Sequence, residues 1–254
     1  MLRIKSVLVL LCFLVAASCA TRKDIAYLQD ADSAGLAQSL NYEPTLKPDD
    51  LLSIIVSADT PEVTVPFNLP AIQGNYQIDN NINGIKTYLV DNSGNIDFPV
   101  LGKIKLGGLT RTEAVNKMMK EISEYITNPS VNLRILNFKV SVLGEVQRPG
   151  SFNIQSERIT LLEAIGNAGD LTIYGKRNNI LVIREAEGKK SFARVDITNS
   201  AFIDSPYYYL TQNDVVVIEP NNTRVKSSAV GPNTTLYISV ASILITIASI
   251  ALIR

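Results

Sequence analysis

Eighteen consecutive residues near the end of the chain, Leu236 to Ile253, contain no charge, glycine or proline, and Arg254 closes the run. As a helix rising about 1.5 Å per residue they span roughly 27 Å, enough for a thin bilayer. The polar residues of the segment are ordered. Thr235, Ser239, Ser242, Thr246 and Ser249 recur at spacings of 4, 3, 4 and 3, which gathers them into one helical stripe roughly 80° wide. Ala241 and Ala248, one heptad apart, form a small-residue strip suited to close helix packing. Ile243, Leu244, Ile247 and Ile250 lie toward the other faces. A transmembrane helix over 236–253 is expected, and its hydroxyl stripe suits a ring of helices around water. A plain anchor fits the same residues, because Ser and Thr are common in membrane helices and bond back to their own backbone. Periodicity alone does not separate the two.

The other end reads as charged, then apolar, then small. Arg3 and Lys5 precede an apolar run from Val7 to Ala16 that is too short to span, and Ala16-Ala17-Ser18-Cys19 follows. Small residues before a cysteine fit the cleft of a signal peptidase, and the thiol is the group that takes diacylglycerol. The pattern resembles the lipobox of bacterial lipoproteins, with Ala16 where leucine is commonest. Residues 1–18 are thus expected to be a signal peptide and Cys19 the lipidated N-terminus. Ala20 and Thr21 are not aspartate, which by resemblance to lipoprotein sorting favours the outer membrane.

What the chain lacks narrows the chemistry. It has no histidine, and of its two cysteines Cys12 lies in the signal peptide. The mature chain therefore cannot build a Cys/His zinc site, a Ser-His-Asp triad, a Cys-His pair or an internal disulfide. No metal or cofactor is expected. Removing Arg3 and Lys5 leaves 22 basic against 24 acidic residues, a balance that does not suggest nucleic acid as a partner. A carboxylate-dependent enzyme stays open, but no pair of acids stands out.

The middle divides in two. Residues 19–40 read as a tether. In 41–136, Leu51 to Ser57 is a strand, and Tyr88–Val90 and Ile96–Phe98 flank the turn Asp91-Asn92-Ser93-Gly94 as a hairpin. Thr110 with Glu113 makes a capping box for a helix from Arg111 to Ile126, whose apolar face is Ala114, Met118, Ile122 and Ile126. Val131 to Leu136 is a strand. In 137–220 a strand pair (Phe138–Val146, Phe152–Ile154) precedes a short helix, Leu161–Ala168, capped by Thr160. Strands at Ile180–Arg184, Phe192–Ile197 and Val215–Glu219 follow. That order is α+β and β-grasp-like. Residues 221–235 read as a polar linker. Asp50 and Asp214 suit turns or caps better than catalysis, and Tyr207-Tyr208-Tyr209 suits a strand or subunit contact better than sugar stacking.

Several segments resemble a known family. Leu46-Lys47-Pro48-Asp49-Asp50-Leu51 resembles the L-x-P-G-D-x-L opening of the polysaccharide export domain, with Asp49 in place of glycine. Asp91 to Ile96, Pro99 to Gly102, Gly108-Leu109-Thr110 and Glu113-Ala114 resemble the rest of that domain. Val142 to Val146, Pro149-Gly150, Leu161 to Ile165, Ala168-Gly169 and Leu210 to Pro220 resemble the soluble-ligand-binding β-grasp (SLBB) domain. The chain thus resembles the Wza-type polysaccharide biosynthesis and export lipoproteins, with one β-grasp domain.

The resemblance implies a homo-oligomeric ring of periplasmic domains, with terminal helices forming an α-barrel through the outer membrane. It implies passage of capsular or exopolysaccharide through the lumen and an inner-membrane co-polymerase as partner. It also implies that no reaction occurs in the subunit. Two rivals are a periplasmic ligand-binding lipoprotein whose terminal helix is a plain anchor, and a membrane-held sugar-active enzyme using carboxylates.

Overall fold

The computed structural model describes residues 25–32, 42–68, 87–186, 188–228, 231 and 233–253, without the side chains of 186, 233–235 and 248–253. The expected signal peptide, Cys19 and the side chains of Thr235, Ala248, Ser249 and Ile250 lie outside the described residues.

The first domain joins β1 (Leu51–Ser57), β2 (Thr87–Leu89), β3 (Asn95–Phe98), β4 (Gly102–Lys105), α1 (Arg111–Ile122) and β5 (Ser130–Ile135). Leu52, Ile54 and Val56 alternate along β1 into a core shared with Tyr88, Ile96, Phe98 and Leu133, the period of two that a half-buried strand requires. Thr110 and Glu113 do form the capping box of α1, and Ala114, Met118 and Ile122 are its buried face. The helix ends one turn before the expected Ile126. Ser123 takes the C-cap, and a positive φ at Asn128 turns the chain toward β5. Ile126 is buried all the same.

The expected hairpin is corrected. Its turn exists: the Asp91 carboxylate accepts from the amides of Ser93 and Asn95, both at 2.8 Å. Its flanking strands do not pair with each other. β2 is antiparallel to β1, and β3 is antiparallel to β4. The end of β4 closes on Gly94, whose carbonyl accepts from Leu106 and Gly107 at 2.9 and 2.8 Å. A Cβ on Gly107 would stand 2.6 Å from Gly94 Cα, so this approach needs glycine. β3 is taken by β4, and β2 turns to β1.

The second domain holds β6 (Lys139–Gly144), β7 (Gly150–Asn153), β8 (Ile159–Thr160), α2 (Leu161–Asn167), β9 (Gly175–Ala186), β10 (Lys189–Val195), β11 (Tyr209–Leu210) and β12 (Val215–Pro220). Five strands form one sheet in the order β10-β9-β12-β6-β7. β12 runs parallel to β6 and every other pairing is antiparallel. Val140, Val142, Ile180, Val182, Val216 and Ile218 share one core with Leu161, Ala164 and Ile165 of α2. Gly144 lets β6 lie against β12: a Cβ there would stand 2.0 Å from the Ile218 carbonyl oxygen.

Two stretches expected to lack structure have some. Residues 25–32 of the tether are docked on the second domain. Leu28 and Gln29 amides donate to the carbonyls of Ile197 and Thr198, at 3.1 and 2.7 Å. The Asp30 carboxylate accepts from Ser200 N and Oγ at 2.7 and 2.8 Å. In the expected linker, α3 (Asn222–Ser228) forms because the Asn221 side chain accepts from Arg224 N at 3.0 Å and caps it. The terminal helix α4 runs from Asn233 to Ile253.

Candidate functional site

The chain's distinctive surface is its C-terminal end and the part of the second domain that carries it. From Leu236 to Ile247 every α4 side chain is exposed. Among the described residues no helix is long and apolar enough to cross a membrane; in α4 the described side chains cover only that stretch. Of the stripe residues, Ser242 Oγ donates to Ser239 O and Thr246 Oγ1 to Ser242 O, both at 2.8 Å. These bonds satisfy the two hydroxyl protons within the helix.

In the second domain, the loop Asp170–Gly175 is held from two sides. The Tyr27 hydroxyl donates to the Asp170 carboxylate, and the Arg177 guanidinium lies 5.5 Å from the Tyr27 ring centroid. Burial, with the Asp170 charge beside it, pushes the Tyr27 phenol up to about 12. On the other side Asn221 N donates to Tyr174 O at 2.7 Å, and Arg224 lies over the Tyr174 ring at 5.5 Å while reaching Glu145 at 3.2 Å. Residues 25–32 and α3 thus both touch this loop, besides their contacts to Ile197–Ser200 and to Glu145.

The conspicuous acids are structural. Asp214 is fully buried and paired with Arg184 at 2.7 Å; it also accepts from Thr211 N at 2.8 Å. Arg184 also donates to the carbonyls of Pro206 and Tyr209, at 3.0 and 2.9 Å. Asp50 accepts from Lys47 N at 2.8 Å, and its other oxygen has no hydrogen-bond partner. Burial raises this carboxyl to about 6, against the opposing pull of the Lys47 amide and ammonium. Around it the domains are joined. Asn137 accepts from Leu51 N and donates to Asp49 O, both at 2.8 Å, and Lys47 Nζ reaches Thr211 Oγ1 at 3.0 Å.

The interdomain cleft, lined by Tyr42, Thr45, Lys47, Phe138, Thr211 and Gln212, encloses about 20 Å³. That is room for about one water and far too little for a sugar ring. The three tyrosines are occupied internally. Tyr209 stacks on Tyr42 at 4.7 Å, Tyr208 meets Phe202 at 5.5 Å, and Arg184 covers Tyr207 at 4.9 Å. Among the described residues no group of three or more metal-ligating side chains comes together.

Comparison with known proteins agrees with this architecture. Residues 38–136 match the polysaccharide biosynthesis/export protein family, and residues 138–218 match the SLBB domain. The EPS I polysaccharide export outer membrane protein EpsA of Ralstonia solanacearum is 31% identical over 196 residues, which are 74% of this chain and 51% of that protein. Its counterpart in Ralstonia nicotianae is 30% identical over the same extent. The chain spans about half the length of these curated relatives. Proteins of this kind are transport components and not enzymes. With the export domain matched over 38–136, the SLBB domain over 138–218 and two relatives that are export proteins, the chain belongs to the polysaccharide biosynthesis/export proteins.

Proposed function

We propose that this chain is the outer-membrane subunit of an exopolysaccharide export machine, as the names of its relatives suggest. Copies form a ring through their periplasmic domains, and α4 crosses the outer membrane as one stave of an α-barrel. Thr235, Ser239, Ser242, Thr246 and Ser249 line a hydrated lumen, and Ala241 and Ala248 let neighbouring helices approach. Cys19 carries the lipid. Polymer arrives from an inner-membrane co-polymerase and passes without chemistry.

The observation that carries this reading is α4 itself. An apolar helix exposed along its described length, on a domain whose apolar core is otherwise buried, needs a covering, which lipid on one side and neighbouring helices on another would supply. Mass measurement of the full chain in mild detergent is expected to give a closed multimer. A monomer well above micromolar concentration would contradict the ring. Fatty-acid labelling should mark the wild type and not Cys19→Ser; equal labelling would remove the lipid anchor from the account.

The alternative, a periplasmic ligand-binding lipoprotein with α4 as a plain anchor, draws on the back-bonded hydroxyls of Ser242 and Thr246, which lipid tolerates. It predicts a monomer or dimer in the same measurement.

A further inference from the structure

We infer that the loop Asp170–Gly175 and helix α3 rest on the headgroup layer of a phospholipid bilayer, an inference that depends on α4 entering the membrane. Three independent observations converge on this face of the second domain.

The first is its composition. Ile173 is 58% exposed, Val225 54% and Tyr174 37%. Tyr174 is amphipathic, with an apolar ring and a polar hydroxyl, the kind of side chain that favours a membrane interface. Beside these stand Lys226 and Arg224, the latter paired with Glu145 of the neighbouring loop, and α3 itself contains no acid. An apolar surface edged by cations complements lipid glycerol and phosphate groups.

The second is the state of α3. All seven of its side chains are exposed and none reaches the core. A helix that short is marginal in water. Its Asn221 cap and the Arg224 contacts to Tyr174 and Glu145 tie it to the loop, and its outer side is left for something else to cover.

The third is where the chain ends lead. Only residues 229–232 separate α3 from α4, so Ser228 lies within about 17 Å of the start of α4 even at full extension. On the far side of the same loop, Asp170 holds Tyr27, eight residues after Cys19. Two segments bound for the membrane bracket Ile173 and Tyr174. A surface so placed faces the bilayer that receives both.

The chain contains no tryptophan, so a single introduced one reports its own surroundings. Four variants of the full chain, Tyr174→Trp, Ile173→Trp, Leu244→Trp and Phe192→Trp, would be reconstituted in phosphatidylcholine/phosphatidylglycerol vesicles. The phosphatidylcholine is brominated either high on the acyl chain or near its end. Phe192 is the control. It is 67% exposed and pairs with Ile183, which lies about 26 Å along β9 from Gly175.

The expected result is roughly twofold quenching of Tyr174→Trp and Ile173→Trp by bromine high on the chain, with Leu244→Trp quenched by bromine near the chain end and Phe192→Trp unaffected. Quenching at Leu244 with neither loop position quenched would overturn the interfacial contact while leaving the span intact. A blue-shifted but unquenched loop tryptophan, in that case, would mean that a neighbouring copy covers the face. If Leu244→Trp is also unquenched, the membrane reading of α4 fails and this inference fails with it. The second loop variant guards against a local distortion at Tyr174, whose ring carries Arg224.

Discussion

The two packed domains and helix α4 treat their apolar residues in opposite ways. In the domains, alternation along β1 and β12 and the faces of α1 and α2 send apolar side chains into two cores. In α4, Leu236 to Ile247 is exposed throughout. The domains derive their stability from contacts within the chain, each fully buried Leu or Ile contributing about 1.5–3 kcal/mol. Over its described side chains, Leu236 to Ile247, α4 buries nothing in one copy and depends on what surrounds it. Substitutions in the domains should therefore change folding, and substitutions in α4 should change assembly and membrane seating.

The largest effect is expected at the Arg184–Asp214 pair. Asp214→Ala leaves a nearly buried guanidinium without its carboxylate and should cost about 3–5 kcal/mol, read as a lower urea midpoint for the detergent-extracted protein. The same measurement on Ser242→Asp should leave the domain midpoint unchanged. A shift of similar size in both variants would erase the distinction between the regions.

A smaller effect is expected at Asp50. Its carboxyl titrates near 6 in the folded chain, against 3.8 as the ordinary value. Between these values the folded state keeps a proton that the unfolded state has lost. Stability from this group is therefore greatest below about pH 4 and falls as pH rises to about 6, by at most about 3 kcal/mol. Asp50→Asn removes that fall. Urea midpoints from pH 4 to 7 should decline in the wild type and much less in the variant; parallel profiles would mean that the buried carboxyl is not the source.

What was legible in the sequence was mostly local. The strand Leu51–Ser57 follows from its β-branched and apolar pattern, the start of α1 from Thr110 with Glu113 three residues on, and the start of α2 from Thr160; the Glu163 half of the second capping box is added by the structure. The docking of residues 25–32 was not legible, because Asp30 finds Ser200 across 170 residues. The partner of β2 was hidden for a related reason: the Asp91 turn is local, but whether β2 pairs with β3 or β1 is decided by the arrival of β4 at Gly94. α3 carried one signal that a closer reading could have used, an asparagine followed three residues later by an amide it can cap. In α4 the period of the hydroxyl stripe is a property of the chain, but which face meets water depends on neighbouring copies.

That orientation is the central claim, and cysteine accessibility tests it directly. Single cysteines would be placed in the full chain, with the unsubstituted chain as the labelling blank for Cys19. In assembled protein, Ser242→Cys and Thr246→Cys should react with a small charged thiol reagent, while Leu244→Cys and Ile247→Cys, toward lipid, should not, because a charge is excluded from hydrocarbon by a few kcal/mol or more. Labelling of Leu244→Cys and Ile247→Cys with protection of the stripe would contradict the orientation, and protection of all four positions would leave α4 as a plain anchor.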